Sequence, residues 1–201
     1  MNYLAGILWR NQGQVLTPEL ILGLLQGATM PPPAFIPVEQ FESEQCGSYV
    51  FAVERFEPAI SELHPLHEAH WEETEKHRHG IPLDYDYAAM VKRDQAGQYL
   101  LFTIRKDGEL VGHCGQIIGV SSHTKTLFAD EDALFLRADC RGGRTSLKFI
   151  RYMESCLVQI GVKEIRVSAK MVNSADKLLM KCGFAPVATL LVKLVGGQNE
   201  N

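Results

Sequence analysis

The feature that most constrains the fold is a basic turn between an apolar strand and an amphipathic helix, within residues 134–160. The turn reads Arg-Gly-Gly-Arg-Thr-Ser over residues 141–146. The first N–H groups of a helix lack intrahelical partners and lie at the positive end of its dipole, so they favour a bound anion. Glycines let the backbone approach the anion closely, and Arg141 and Arg144 add fork-shaped donors suited to phosphate oxygens. This order of elements predicts an anion site.

The glycine spacing of the turn excludes two better-known phosphate motifs. A Walker loop needs Gly-Lys-Ser/Thr after a four-residue spacer, and the dinucleotide fingerprint needs G-x-G-x-x-G, and the turn has neither. Taken alone, the turn has a second interpretation as a solvent-exposed basic loop.

Length and composition indicate a soluble globular protein with one principal domain. The chain has 201 residues, of which 46% are hydrophobic and 22% charged. A stiff Met-Pro-Pro-Pro-Ala break at residues 30–34 separates a predicted N-terminal arm or small appendage, residues 1–38, from a domain at residues 39–201. The five cysteines are widely spaced, which favours reduced thiols over a disulfide framework or a zinc site. With neither a signal peptide nor a bilayer-spanning segment, we predict a cytoplasmic protein without a membrane partner.

The charge is divided unevenly along the chain. Residues 137–181 hold ten Lys or Arg against four Asp or Glu, whereas residues 1–136 hold nine against nineteen. One part therefore favours an anionic ligand, and the other favours a neutral or cationic one.

Apolar periodicity predicts the order β, α, α, β, β, β, α, β, α, β after residue 38. Asp107-Gly108 is a hairpin signal, and a helix links a predicted parallel pair of strands. In the N-terminal arm we predict a strand at residues 3–8 and a helix after Thr17. The predicted strands are residues 49–53, 99–105, 110–120, 127 with 133–137, 164–170 and 186–194, and the predicted helices are 59–77, 85–93, 146–161 and a short one from Asn173 or Ser174 to Gly183.

This arrangement resembles the GNAT superfamily of acyl-CoA-dependent N-acyltransferases over residues 49–195. The resemblance is carried by the strand–turn–helix unit and by Asn-Ser-Ala-Asp-Lys-Leu-Leu-Met-Lys-Cys-Gly-Phe at residues 173–184. Residues 67–73, the Ile-Pro-Leu-Asp loop at 81–84 and the turn are similar to a group of GNAT proteins of tailed phages, which implies a bacterial or phage-infected cytoplasm. The implied fold is α/β with mixed α+β character: a mixed, centrally splayed sheet flanked by helices.

The resemblance also implies acetyl-CoA as the acyl donor. In the superfamily the turn wraps the pyrophosphate of CoA, while the pantetheine arm lies between two splayed parallel strands. The backbone of Leu136 and Arg137 would then meet the thioester and pantetheine, and Asn173 and Lys177 would lie beside the pantetheine and adenosine. The phosphate-binding residues implied by the resemblance are Arg141, Gly142, Gly143, Arg144, Thr145 and Ser146.

Two positions depart from the superfamily pattern of Arg/Gln-x-x-Gly-x-Gly/Ala. Arg144 stands at the first glycine of the pattern and Ser146 at its last position. Many members also place a tyrosine in the helix before Gly-Phe, where it protonates the leaving thiolate. This chain has Leu179 there, so another group or solvent must supply that proton.

Acyl transfer to an amine needs a group that removes a proton from the nucleophile. The sequence offers His123, whose ordinary pKa is near neutral, and the adjacent acids Glu131 and Asp132. Strand alternation predicts that these two acids point to opposite faces, so that only one faces the groove. For each of the three, a solvent-exposed loop residue is the alternative.

Three histidines, His64, His67 and His70, recur every three residues, with His77 and His79 beyond them. A zinc protease motif needs His-Glu-x-x-His, with histidines four apart, so we predict no metal and a polar face that lines either the acceptor groove or solvent.

The leading hypothesis from the sequence is a GNAT-type N-acetyltransferase that moves an acetyl group from acetyl-CoA to a primary amine in a ternary complex. The acceptor stays open among a small molecule, a protein amine and a modified nucleobase, and a homodimer is allowed. The alternatives are a non-catalytic acyl-CoA- or partner-binding module on a degenerate GNAT scaffold, and a nucleic-acid-binding role for the basic patch at residues 137–181.

Overall fold

The computed structural model describes residues 17, 35–76, 81–170 and 175–193. Six strands form one sheet in the order β1-β2-β3-β4-β5-β6. The strands are β1 (Glu44–Cys46), β2 (Tyr49–Glu54), β3 (Tyr99–Lys106), β4 (Glu109–Val120), β5 (Leu127–Leu136) and β6 (Val162–Arg166), and the helices are α1 (Phe56–Thr74), α2 (Tyr87–Gln95), α3 (Thr145–Gln159) and α4 (Ala175–Lys181). The strand at residues 3–8 and the N-terminal helix predicted from the sequence lie outside the described residues.

The sheet has the mixed character predicted from the sequence. Strands β1 to β5 pair antiparallel in succession, while β5 and β6 are parallel and are joined through α3. The turn between β3 and β4 contains Asp107 and Gly108, both with positive φ, as the hairpin signal predicts. Pairing of β5 with β6 ends at Asp130 and Arg166, although β5 continues to Leu136. The two strands therefore separate towards the carboxyl end of β5, which is the predicted splay.

Helices cover both faces of the sheet, and each face has its own apolar core. On one face α1 and α2 pack against Tyr99, Leu101 and Phe135. On the other face α3 buries six residues, including Phe149 and Met153, against β2 to β5. Each such side chain contributes about 1.5–3 kcal/mol on burial, so α3 and the turn that precedes it are held firmly.

The end of the predicted N-terminal arm takes part in the main core. Ile36 is buried, and its carbonyl oxygen accepts a 2.7 Å hydrogen bond from the Arg55 guanidinium. No helix in the described part of the chain is both long and apolar enough to cross a membrane.

The prediction of a last strand at residues 186–194 is wrong. The structure describes this segment as far as residue 193, and residues 186–193 form no strand. The apolar side chains Val187, Leu190, Leu191 and Val192 are exposed there, and β6 stands at the edge of the sheet. Residues with high β-propensity form a strand only where a neighbouring strand provides backbone hydrogen-bond partners. Within the described residues this segment pairs with no strand.

Candidate active site

A first cavity of about 290 Å³ opens between α1, the carboxyl end of β5 and the amino end of α3. Its walls include the last three residues of β5, Ser146 in the first turn of α3, and Ala175 and Leu178 of α4. The cavity therefore lies beside the splay and reaches the basic turn. This is the position that the family resemblance implies for the pantetheine groove.

The basic turn keeps its backbone open to solvent. Gly142 and Gly143 have φ values of 123° and 60°, a region that side chains rarely adopt, and nothing lies within 4 Å of where a Cβ would stand. Arg144 occupies the N-cap of α3, and its side chain makes no capping hydrogen bond. Thr145 and Ser146 follow as the first two residues of the helix. The amino end of α3 thus offers uncapped N–H groups next to an open glycine pair.

Arg141 is engaged across the first cavity in this structure. Its Nη1 and Nη2 donate to the two carboxylate oxygens of Glu73 at 2.9 and 2.6 Å, and its Nε donates to the Leu136 carbonyl at 2.6 Å. The guanidinium also lies 5.3 Å from the centroid of the Phe135 ring. Arg141 therefore joins α1 to the end of β5. It also hydrogen-bonds the Leu136 carbonyl, which the family resemblance assigns to the thioester and pantetheine.

The other predicted cofactor residues differ in how near they lie to this cavity. Leu136 and Ser146 line it. The side chain of Arg137 donates instead to Asp139 at 2.7 Å and to Glu109 at 2.5 Å. Lys177 is exposed on α4, and Asn173 lies outside the described residues.

A second cavity, of about 330 Å³, adjoins the first. Its polar lining contains three carboxylates, Glu75, Glu131 and Asp132, and one lysine, Lys170, which is paired with Glu75. Aromatic rings complete the walls: Trp71 and Tyr85, with His67 and His70. His70 lines both cavities.

A β-bulge in β5 explains why both adjacent acids line the same cavity. Ala133 is opposite Gly115 and Glu131 is opposite Gln116, so Asp132 is the extra residue without a partner on β4. The bulge interrupts the side-to-side alternation of the strand. The expectation that only one of Glu131 and Asp132 faces the groove is therefore wrong.

Each of these acids is held by a specific donor. Glu131 bridges the splay, because its carboxylate accepts the Ser168 backbone N–H at 3.0 Å just beyond β6. Burial raises the pKa of Glu131 in spite of that hydrogen bond. Asp132 accepts the Tyr85 hydroxyl at 2.7 Å, and the Tyr85 pKa is raised by burial and by the Asp132 charge.

A second tyrosine lies near Tyr85. Tyr99 is fully buried in β3, and burial raises its pKa well above the ordinary value, with the neighbouring Tyr85 raising it further. A Cβ at Gly115 would overlap the Tyr99 hydroxyl, so β4 has a glycine where this side chain crosses the sheet. The sequence identifies neither tyrosine as a site residue, because it predicts Tyr85 as the first residue of a helix and Tyr99 as an ordinary strand residue.

The histidines of α1 have different environments. His64 is exposed, with Nδ1 3.7 Å from Glu68. His67 is buried, with Nδ1 3.1 Å from the Tyr87 hydroxyl, and burial lowers its pKa to about 4. Behind it, His113 is completely buried, with no hydrogen-bond partner among the described residues, and its pKa lies well below the ordinary value. His67 and His70 line the second cavity, as the predicted acceptor groove requires.

His123 lies away from both cavities. It is exposed in the turn that joins β4 to β5, at the opposite end of β5 from Leu136. It lines neither cavity. The structure thus brings Glu131 and Asp132 together and separates them from His123.

Within its described residues, Ala175–Lys181, the helix before Gly-Phe places no hydroxyl at the first cavity. Leu178 lines it, and Leu179 is buried in the core. Among the described residues, no group of three or more His, Cys, Asp and Glu is arranged to hold a metal ion.

No protein-family model matches the chain, and no curated protein matches it in sequence. Its similarities are to solved structures. A ribosomal-protein-alanine N-acetyltransferase from Brucella melitensis biovar Abortus 2308 superposes with a TM-score of 0.62 at 18% identity, covering 74% of this chain and 99% of the other. An aminoglycoside acetyltransferase from an uncultured soil metagenomic sample, in complex with sisomicin, gives 0.59 at 15% identity, covering 73% and 97%.

A third structure was solved with a bisubstrate analogue. It is AAC(6')-Iy bound to CoA-S-monomethyl-acetylneamine, with a TM-score of 0.56 at 15% identity, covering 73% of this chain and 97% of the other. At these identities the similarity shows the fold, and the chain has the fold of the GNAT acetyltransferases. The narrower resemblance to tailed-phage proteins stays a prediction.

Proposed function

We propose that the protein is an N-acetyltransferase that moves an acetyl group from acetyl-CoA directly to a primary amine. The observation that carries this proposal is the pair of adjoining cavities with His70 in both walls. One cavity reaches the basic turn and the amino end of α3, and the other is lined by carboxylates. Two bound substrates would meet at their junction, as direct transfer requires.

The first cavity suits a long polyanionic donor, and we call it the donor cavity. The uncapped end of α3, the open glycine pair and Arg144 offer donors to the pyrophosphate, while the apolar walls would hold the pantetheine arm. Arg141 must exchange Glu73 for the donor before it contributes to the phosphate site.

The second cavity suits an amine, and we call it the acceptor cavity. Among its described lining residues three carboxylates outnumber one lysine, which favours the ammonium form from solution. We assign Glu131 and Asp132 to this acceptor site.

The donor site is tested by replacing both arginines of the turn. We expect R141A/R144A to weaken acetyl-CoA binding markedly without loss of fold, because it removes two phosphate ligands from an exposed loop. The measurement is a thermal-shift titration with acetyl-CoA, desulfo-CoA and ATP, since a native-state ligand stabilises by about 2.7 kcal/mol at a hundred times its Kd. K163A, which removes an exposed cation from β6, is the control. Unchanged affinity in the double variant would remove the phosphate assignment.

Activity is tested by release of free CoA thiol with three amines. We chose 1,4-diaminobutane, sisomicin and a peptide with an N-terminal alanine, because the last two correspond to acceptors named for the structural neighbours. Turnover of any one supports an N-acetyltransferase. Acetyl-CoA binding without turnover of any amine supports the non-catalytic module instead.

That second candidate has a specific observation in its favour. Leu179 stands where many GNAT enzymes have a tyrosine and is buried in the core, its neighbour Leu178 lines the cavity, and Arg141 is held by Glu73 across the groove. Both features are compatible with a scaffold that binds the donor or a partner without transferring the acyl group.

A further inference from the structure

We propose that His70 is the catalytic residue that takes the proton from the acceptor amine. This inference rests on the proposed function and adds a residue to it. Among the histidines that the structure describes, His70 is the one whose side chain lines both cavities. An amine attacking a thioester must lose its proton where the two substrates meet, and His70 lies at that place.

The fold fixes the His70 ring at the junction. The residue is in the last two turns of α1, where the Thr74 hydroxyl donates to the His70 carbonyl at 2.8 Å. The ring centroid is 5.4 Å from that of Phe135, which lines the donor cavity. The side chain is therefore packed against the wall of one cavity while it borders the other.

The other candidate bases are less well placed. His67 lines the acceptor cavity alone, and its Nδ1 is 3.1 Å from the Tyr87 hydroxyl. Glu131 accepts the Ser168 N–H, and Asp132 accepts the Tyr85 hydroxyl, and neither acid lines the donor cavity.

Charges from several elements act on the His70 ring. Burial lowers its pKa most, and Lys170, beyond β6, lowers it further. Glu73 in α1, Glu75 just after it and Asp132 in β5 oppose this by raising the pKa. The balance leaves the pKa below the ordinary value, so the ring is neutral near pH 7 and free to accept a proton.

The proposed step balances without a further reactant. The amine nitrogen attacks the thioester carbonyl carbon, the N–C bond forms, and the C–S bond breaks. The ammonium that binds from solution first loses one proton to water, which leaves the neutral amine. On attack, the proton leaving nitrogen passes to the His70 imidazole, and the CoA thiolate takes that proton from the imidazolium. The imidazole is neutral again when the amide and CoA leave.

The test compares H70N and H70A with the unaltered full chain, using acetyl-CoA and whichever of the three amines turns over. We expect kcat to fall by roughly 10²–10⁴-fold, the usual contribution of a general base, with little change in the Kd of acetyl-CoA. Because an acid-side loss of activity follows protonation of the base, and the pKa of His70 is lowered, the acid limb of the unaltered chain should lie below the ordinary histidine pKa of about 6.5. H70N should lack this limb, and added imidazole should restore part of the activity of H70A.

The matched control is H64N, on the exposed part of the same helix. It should keep both kcat and the pH profile, and circular dichroism will show whether each variant folds. A folded H70N with unchanged kcat and an unchanged acid limb overturns the role of His70 while the acetyltransferase activity stands. Absence of turnover by the unaltered chain with every amine overturns the proposed function and, with it, this role.

Discussion

At the scale of single residues, Arg141 has two competing anionic partners. Its guanidinium forms paired hydrogen bonds with Glu73 in this structure, and the proposed cofactor would offer phosphate oxygens instead. The Arg141 side chain is 40% exposed and that of Glu73 34%, so water already weakens their attraction. The ion pair is therefore weak enough to open when a polyanion binds.

We expect E73Q to bind acetyl-CoA more tightly, because Arg141 then has no ion pair with Glu73 to break before it contacts the phosphates. A partly exposed ion pair contributes roughly 0.2–1 kcal/mol, so the Kd should fall by about 1.5- to 5-fold. Isothermal titration calorimetry measures this change. The control is E72Q, in which the lost partner is Lys76, two residues beyond the end of α1 and 2.7 Å away. Weaker binding by E73Q alone would show that Glu73 orients Arg141 for the phosphate.

At the scale of elements, α1 begins on a carboxylate from the end of α2. The N-cap of α1, Arg55, supplies no side-chain cap, and Asp94 does so by accepting the Phe56 N–H at 3.3 Å. Asp94 also accepts a 3.1 Å hydrogen bond from Arg55 and is only 3% exposed. This contact fixes the helix that carries His70 and Glu73.

Replacing that buried carboxylate should cost more than replacing an exposed cap. We expect D94A to lower the free energy of unfolding by about 3–5 kcal/mol, because it leaves Arg55 and the Phe56 N–H without their partner. Asp86, which caps α2 through a 2.9 Å hydrogen bond from the Ala89 N–H, is exposed, so D86A should cost about 0.5–2 kcal/mol. Urea denaturation of both variants gives the comparison. Equal losses would mean that Asp94 acts as a helix cap alone.

Most of the elements could be predicted from the sequence, because their apolar residues repeat with a regular period. The strand–turn–helix unit, the hairpin at Asp107 and Gly108 and the parallel pair are all observed. The bulge at Asp132 could not be predicted, since a single extra residue has no periodicity of its own. The last strand failed for a different reason: a strand depends on a neighbour that its own residues do not specify.

At the scale of the whole molecule, the candidate site depends on contacts between residues far apart in the sequence. The acids of β5 were identifiable because they are adjacent and charged. His70, Glu73 and Tyr85 acquire their positions only when α1 and the loop before α2 pack over the end of β5. Residue type and spacing do not encode those distances.

Tyr99 and Tyr85 make the acceptor cavity sensitive to the middle of the sheet. In G115A the added methyl would overlap the hydroxyl of Tyr99, whose pKa is raised in part by the neighbouring Tyr85, and Tyr85 donates a hydrogen bond to Asp132. We expect G115A to lower stability by about 1–3 kcal/mol and to raise the KM for the amine, with the Kd of acetyl-CoA unchanged. Thermal unfolding and steady-state kinetics give both values. G108A, at a glycine in the open hairpin turn, is a control for backbone strain alone. An unchanged amine KM in G115A would show that Tyr99 adjusts without moving Tyr85.

Among the residues that the structure describes, His70 alone lines both cavities, and this has a consequence for how such a protein diversifies. Two segments line the acceptor cavity and not the donor cavity: the loop at Leu83 and Tyr85, and the segment at Ser168 and Lys170. Under the proposed function, substitutions there would change which amine enters while the residues of the donor cavity stay unchanged. A lineage, or an engineer, could therefore exchange one acceptor for another without rebuilding the half of the site that is proposed to bind acetyl-CoA.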